Sequence, residues 1–232
     1  MALIVRIDVD RPYGRQPLTR HFMSRISSDF FLPRLPGCGY LRELVVMLEM
    51  LNKRKARAHA FFRRCTIPSE KISCLMNEGG HQAGLHLENS QSFETFSAEL
   101  ALMEKKTGSR LRTFSKHGSG GHKYGWHHHH LYEPDRYLPW AREAGMKAFF
   151  GNLEDPTVSS IDEPTGLHFF PSAFWLETPW RDTARFTVDW LLQHAMQKDI
   201  VLLVHPENVL ADSALTSDFD RIISEVPTRI IE

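Results

Sequence analysis

The chain has 232 residues, 42% hydrophobic and 24% charged, enough for one sizeable core and too few for two comfortable domains. Lys and Arg number 28 against 28 Asp and Glu, a whole-chain balance that favours neither nucleic acid nor an anionic membrane as the main partner. No run approaches the roughly 18 to 20 apolar residues of a membrane span.

Three cysteines, Cys38, Cys65 and Cys74, are odd in number and lack zinc-knuckle spacing, so they read as reduced thiols. The chain enters an apolar strand at once, with no secretory leader pattern, and a cytoplasmic protein of one domain over 1–232 is expected. Residues 3–9 are that first strand. Residues 11–39, rich in Pro, Gly and Arg, read as a long loop. Leu41, Leu44, Val45, Leu48 and Leu51 recur at helical spacing and predict a helix over 40–53. A strand at 57–62, a helix at 69–78, a strand at 82–87, a helix at 92–106 and a strand at 112–116 follow. Pro68 and Pro134 suit first-turn positions, and Gly79, Gly108 and Gly145 stand where helices should stop. Residues 118–132 form a second loop, rich in Gly and His. Beyond it the pattern predicts a helix at 134–144, strands at 147–151 and 167–170, a helix at 183–198, a strand at 200–204 and a helix at 216–225. Strands alternating with helices make this an α/β protein with a parallel sheet. Lys53-Arg54-Lys55 and Arg63-Arg64 read as solvated helix ends or loops. Thirteen histidines are the one compositional excess, and most of the run His127 to His130 reads as polar surface.

Chemistry-bearing residues gather where strands end. Asp8 and Asp10 close the first strand, although Asp is a poor strand residue, and could share one ion or divide into a base and a ligand. His81 and His86 stand at opposite ends of the third strand, about 16 Å apart at ~3.3 Å per residue, so only His86 belongs to the C-terminal edge. His81 reads as structural. Lys116 and His117 open a Gly-rich loop, and no GKS or GKT follows to make it a phosphate loop. His205 ends the apolar run 200–204, where Pro206 stops the strand. Four strands thus place Asp8/Asp10, His86, His117 and His205 at the sheet edge where parallel α/β folds build their sites.

The segments Ile7-Asp8-Val9-Asp10, Ala60-Phe61-Phe62, Gly80-His81-Gln82-Ala83-Gly84-Leu85-His86 and Val201-Leu202-Leu203-Val204-His205 resemble, in order, those of the polysaccharide deacetylases of carbohydrate esterase family 4. The resemblance spans nearly the whole chain and implies an incomplete (β/α)7 barrel, parallel strands with surrounding helices. It departs from the family at two points. Ser90 stands where the family has its second metal His, and Lys116-His117-Gly118 replaces a motif that supplies Arg and Pro-Pro. The pattern is similar to a divergent branch of bacterial surface-polysaccharide, or O-antigen, deacetylases.

The resemblance implies a divalent metal on Asp10, His86 and His117, with His117 replacing the missing ligand. Zinc suits that set best, with cobalt, nickel or iron as alternatives. It implies Asp8 as general base and His205 as general acid, hence a bell-shaped pH dependence. Lys116 either holds Asp8 ionised, as the family's Arg does, or is solvated. Arg11, Lys116, Glu88, His122, Glu207 and Asn208 are expected to contact substrate. Trp175 is open to a stacking role, while Phe169 and Phe170 read as core. The implied substrate is an acylated sugar or a nucleotide- or lipid-linked saccharide. A degenerate domain that only binds a saccharide or a partner, and a hydrolase of a non-sugar C–N bond, are the competing expectations.

Overall fold

The computed structural model describes residues 2–32, 34–118, 121 and 123–231. Its strands in chain order are β1 (Leu3–Val9), β2 (Ala58–Phe62), β3 (Gln82–Leu87), β4 (Thr113–Lys116), β5 (Ala148–Leu153), β6 (Ile161–Asp162), β7 (His168–Ser172), β8 (Phe174–Trp175) and β9 (Ile200–Val204). The helices are α1 (Leu18–Phe30), α2 (Arg42–Arg54), α3 (Glu70–Gly79), α4 (Phe93–Thr107), α5 (Pro134–Glu143), α6 (Val188–Ala195), α7 (Pro206–Val209) and α8 (Ser213–Glu225). They surround one sheet of order β6-β7-β5-β4-β3-β2-β1-β9-β8, in which only the β6–β7 pair is antiparallel. The sheet curls into a half-barrel, and among the described residues β6 and β8 remain unpaired edges. This is the incomplete parallel barrel that the strand–helix alternation and the motifs anticipated.

All seven expected strands are present. Two more, β6 and β8, are two residues each, too short to produce a periodic signal. The segment 11–39, expected as a loop, contains α1. The helix expected at 183–198 is confined to Val188–Ala195, started by the Thr187 hydroxyl, which accepts from the Trp190 amide.

Strand alternation divides the interior in two. Leu3, Val5, Ile7 and Val9 of β1 pack outward beneath the helices, with Ala58, Ala60, Phe62, Leu85, Leu87, Phe114, Leu202 and Val204 from neighbouring strands. Ile4, Phe61, Ala148, Phe150, Phe170, Ala173, Val201, Leu203 and Ile231 form a second, separate cluster inside the barrel. Gly84 of β3 is required by this crowding, because a Cβ there would lie 2.5 Å from the Phe61 ring. The inner face of β1 then continues as Arg6 and Asp8, with Asp10 next beyond its end.

Candidate active site

The inner positions just at or beyond the strand ends converge on one pocket, lined by Asp8, Asp10, His86, His117 and His205 among others. Asp10 Oδ1 lies 3.0 Å from His86 Nε2 and 3.1 Å from His117 Nδ1, and the two nitrogens are 3.1 Å apart. Four ligands held tetrahedrally at ~2.0–2.1 Å would be about 3.3 Å from one another, so the triangle has the size of three zinc ligands. The protonation pattern agrees. Ser115 Oγ donates to Asp8 Oδ1 (3.5 Å) and receives His86 Nδ1–H (2.7 Å), which leaves His86 Nε2 as a bare lone pair. Burial keeps His117 neutral, far below the usual imidazole range, against the pull of Asp10. Asp10 Oδ1 is buried without a hydrogen-bond donor. Converging lone pairs around an unpartnered carboxylate oxygen fit a cation, and Asp10, His86 and His117 are the group of three whose ligand atoms meet the spacing of a metal site among the described residues.

Asp8, 3% exposed, is held by Arg6 on its own strand face. Arg6 Nε donates to Oδ1 at 2.9 Å and Nη2 to Oδ2 at 2.6 Å. Burial works against ionisation of Asp8, and Arg6, with His86 and His205, overcomes it to lower the carboxyl below its ordinary value. Arg6 was not expected here, although an Arg inside an otherwise apolar strand, two residues before an Asp, was a visible signal. Lys116 neither supports Asp8 nor is solvated. Thr113 and Ser115 of β4 face inward, and alternation turns Lys116 the other way. Its ammonium is fully buried, donates to the His117 carbonyl at 2.6 Å and lies 3.2 Å from His128 Nε2, and burial lowers it to about 7.

His205 is paired with Glu177, another residue the sequence reading did not single out. Glu177 Oε1 accepts from the His205 amide at 2.9 Å and from His205 Nδ1–H at 2.8 Å. Burial disfavours the imidazolium, but Glu177 prevails and lifts His205 to about 10. The remaining ring nitrogen, Nε2, faces Asp10 Oδ2 at 3.7 Å. The Trp175 and Trp180 rings lie 5.9 and 6.3 Å from the His205 ring, so Trp175 belongs to the pocket wall.

The expected substrate contacts fare unequally. Arg11, Lys116, Glu207 and Asn208 line the pocket, and His122 lies outside the described residues. Glu88 does not line it. It is 2% exposed in an ion pair with Arg63, whose Nη1 donates to the Asp10 carbonyl at 2.7 Å. Arg63 is correspondingly buried, which corrects its reading as a solvated loop residue. Glu207 is pushed up to about 7 by burial and by Asp10, and stands 3.6 Å from Arg11 Nε.

The histidine run is more than surface. His128 is buried, with Nε2 2.7 Å from the His117 carbonyl and Nδ1 accepting from the Tyr124 amide. His129 Nδ1 lies 3.1 Å from Ser90 Oγ, which is also 3.2 Å from the Tyr137 hydroxyl. His81 sits at the far end of β3, accepting from the Ala58 amide through Nδ1 and bonding Asn52 through Nε2.

The sequence matches no family model and no curated protein. Solved structures do resemble the chain. A polysaccharide deacetylase, so described, from Mycobacterium smegmatis is 13% identical with a TM-score of 0.59, over 97% of this chain and 82% of that one. The Puue allantoinase is 14% identical with a TM-score of 0.57, over 96% and 82%. A carbohydrate esterase family 4 pseudoenzyme from Bacillus anthracis is 15% identical with a TM-score of 0.51, over 98% of this chain, and the chain spans 62% of its length. At these identities the likeness is one of fold, and the chain has the fold of the carbohydrate esterase family 4 deacetylases.

Proposed function

We propose that the chain is a metal-dependent hydrolase that removes an acyl group, N-acetyl in the first instance, from a sugar or polysaccharide precursor. The observation that carries this reading is the Asp10–His86–His117 triangle, flanked by a carboxylate held ionised and an imidazole held protonated. Asp10, His86 and His117 would hold a divalent ion, zinc best suiting the two-imidazole, one-carboxylate set. Such an ion supplies a Lewis acid for the acyl carbonyl and for water. Asp8, kept anionic by Arg6, accepts the proton of the attacking water. His205, oriented through Nδ1 by Glu177, offers its Nε2 proton to the leaving nitrogen. Opposite charges on the two groups at neutral pH are the division of labour that amide hydrolysis needs. Ser115 keeps His86 in the tautomer whose Nε2 is free, and Arg63 holds the Asp10 backbone in place.

Arg11, Lys116, Glu207 and Asn208 are proposed around the substrate, with Lys116 acting through the His117 backbone. Trp175 offers a flat apolar wall beside the acid. Bacterial surface-polysaccharide assembly, including O-antigen, is the setting we propose from the motif resemblance, with a nucleotide- or lipid-linked sugar as substrate in the cytoplasm. Among the described residues, no helix is long and apolar enough to cross a membrane.

A second reading, a non-sugar C–N hydrolase, draws support from the comparable likeness to the allantoinase. A third, a binding domain without catalysis, draws on Ser90 and on the pseudoenzyme of the same fold. Elemental analysis of protein purified without added ions, and of a zinc-supplemented sample, separates these. The hydrolase reading expects about one ion per chain, lost in His86→Ala and His117→Ala, and acetate release from N-acetylated oligosaccharides that disappears in Asp8→Asn. No ion under either condition, with His86→Ala indistinguishable from the parent, would overturn it. Metal with hydrolysis of cyclic ureides but not of acetamido sugars would support the second reading instead.

A further inference from the structure

Helix α1 is folded inside out. It buries Ser24 and Ser27 and leaves Leu18, Phe22, Ile26 and Phe30 exposed by 69, 59, 46 and 58%. Every fourth residue is apolar, so the four form one stripe along the helix. Trp126, 68% exposed, extends it, its ring edge-on to Phe30 at 5.0 Å. A contiguous exposed apolar surface of this kind marks an interaction face.

The charge around it is one-sided, although the whole chain is neutral. Residues 11–35 carry Arg11, Arg15, Arg20, Arg25 and Arg34 against Asp29 alone. Asp29 is occupied by the Trp126 amide at 3.0 Å, Arg20 is paired with Glu43 and Arg11 with Glu207, which leaves Arg15 and Arg25 as the cations beside the stripe without an acid. Arg15 bonds the neutral Asn208 side chain, and Arg25 has no ion pair or hydrogen bond among the described residues. A second copy seated on this face would set arginines against arginines with almost no acid to answer them. An anionic surface complements them, and aliphatic, aromatic and Arg side chains on one short helix are the composition of an interfacial helix.

We propose that α1 and Trp126 form a docking face for an anionic phospholipid surface. The other flank of the same helix gives Ser24, Arg25 and Ser28 to the pocket lining, so docking brings the pocket mouth to the headgroups. The inference stands apart from the hydrolase reading, and its test needs no substrate.

The full chain is sedimented with vesicles of equimolar phosphatidylglycerol and phosphatidylcholine, or of phosphatidylcholine alone, at low and high salt. Retention on the anionic vesicles should be tenfold or more above the neutral ones, as a rough expectation, and fall with salt. Phe22→Ser with Phe30→Ser should reduce it about tenfold while leaving the thermal midpoint unchanged, because both rings are already exposed. Arg15→Gln with Arg25→Gln should erase most of the preference for anionic vesicles. Absent retention, or retention indifferent to the Phe substitutions, would overturn the proposal. So would a dimer in light scattering that the Phe substitutions convert to monomer, since a second copy would then own the face.

Discussion

Replacing Arg6 with Met tests the electrostatic core of the site. The guanidinium is 1% exposed and donates to both Asp8 oxygens, to Gly151 O at 2.7 Å, to Phe150 O at 3.4 Å and to Asn152 Oδ1 at 2.9 Å. Met has similar reach and no donor, so a buried carboxylate, two backbone carbonyls and the Asn152 amide oxygen lose their partner together. Breaking a buried pair from one side costs about 3–5 kcal/mol. At ~2.1 cal/mol/K per residue, 232 residues give an unfolding entropy of about 0.49 kcal/mol/K, so calorimetry at pH 7 should find a midpoint lower by about 6–10 °C. The pH dependence has a definite sign. Asp8 now titrates below its ordinary value, so its contribution is present above the unfolded pKa of 3.8 and lost as pH falls through the folded one. Without Arg6, burial dominates and raises the carboxyl, so the variant's deficit should narrow on acidification from that raised pKa, above 3.8, down through the lowered pKa of the parent. The acid limb of its pH–rate profile should move upward. In an Asp8→Asn background the same substitution should cost less, the coupling being on the order of 1–3 kcal/mol. A loss under about 2 °C with an unmoved acid limb, or an equal loss in both backgrounds, would refute the assignment.

Glu177→Gln should pull the alkaline limb of the pH–rate profile down from near 10, because the carboxylate that raises His205 is gone, and a titration of the parent and variant reads this directly. Ser115→Ala should weaken metal affinity about 10- to 100-fold in competition with a chelator, since among the described residues it is Ser115 that bonds His86 Nδ1; an unchanged affinity would remove Ser115 from the site. His59, fully buried and lowered to about 3, is neutral in the fold while the unfolded chain protonates near 6.5. Stability is therefore present above pH 6.5 and lost as pH falls, by about 1.4 kcal/mol per unit for His59 alone. His81 and His128, lowered to about 4 and about 3, act in the same direction. Glu207 and His205, both raised, act in the opposite direction, so the test compares the parent with His59→Gln, whose midpoint should fall less between pH 7.5 and 5.5; an equal change in the two proteins would contradict this.

The sheet and the converging residues were legible because each depends on short-range pattern. Strand ends closed by Asp10, His117 and His205 could be aligned by counting, and the barrel then brought them together. Partners supplied from elsewhere were harder to see. Glu177 is 28 residues from His205 in sequence and follows a two-residue strand with no periodicity of its own. Lys116 shows the limit of reading a residue by type, since its place was decided by the parity of β4, which gave the inward position to Ser115. The helix α1 escaped notice for a different reason. It lies among Pro, Gly and Arg, and its apolar stripe supports no core, so the usual link between helical spacing and burial fails there.

The aromatic cluster inside the barrel bears on how any ligand can arrive. Phe61, Phe150 and Phe170, with Ile4 and Leu203, stop the half-barrel below Asp8, and Ile231 closes its lower end with an amide bonded to His59. The molecule is a cup with a solid base. Among the described residues the base is closed, so under the proposed function a polymer would stay above the rim and lower only one projecting substituent into reach of the acids and histidines. On that reading, choice among such substituents would fall to the depth of the cup, and choice among the molecules bearing them to the rim.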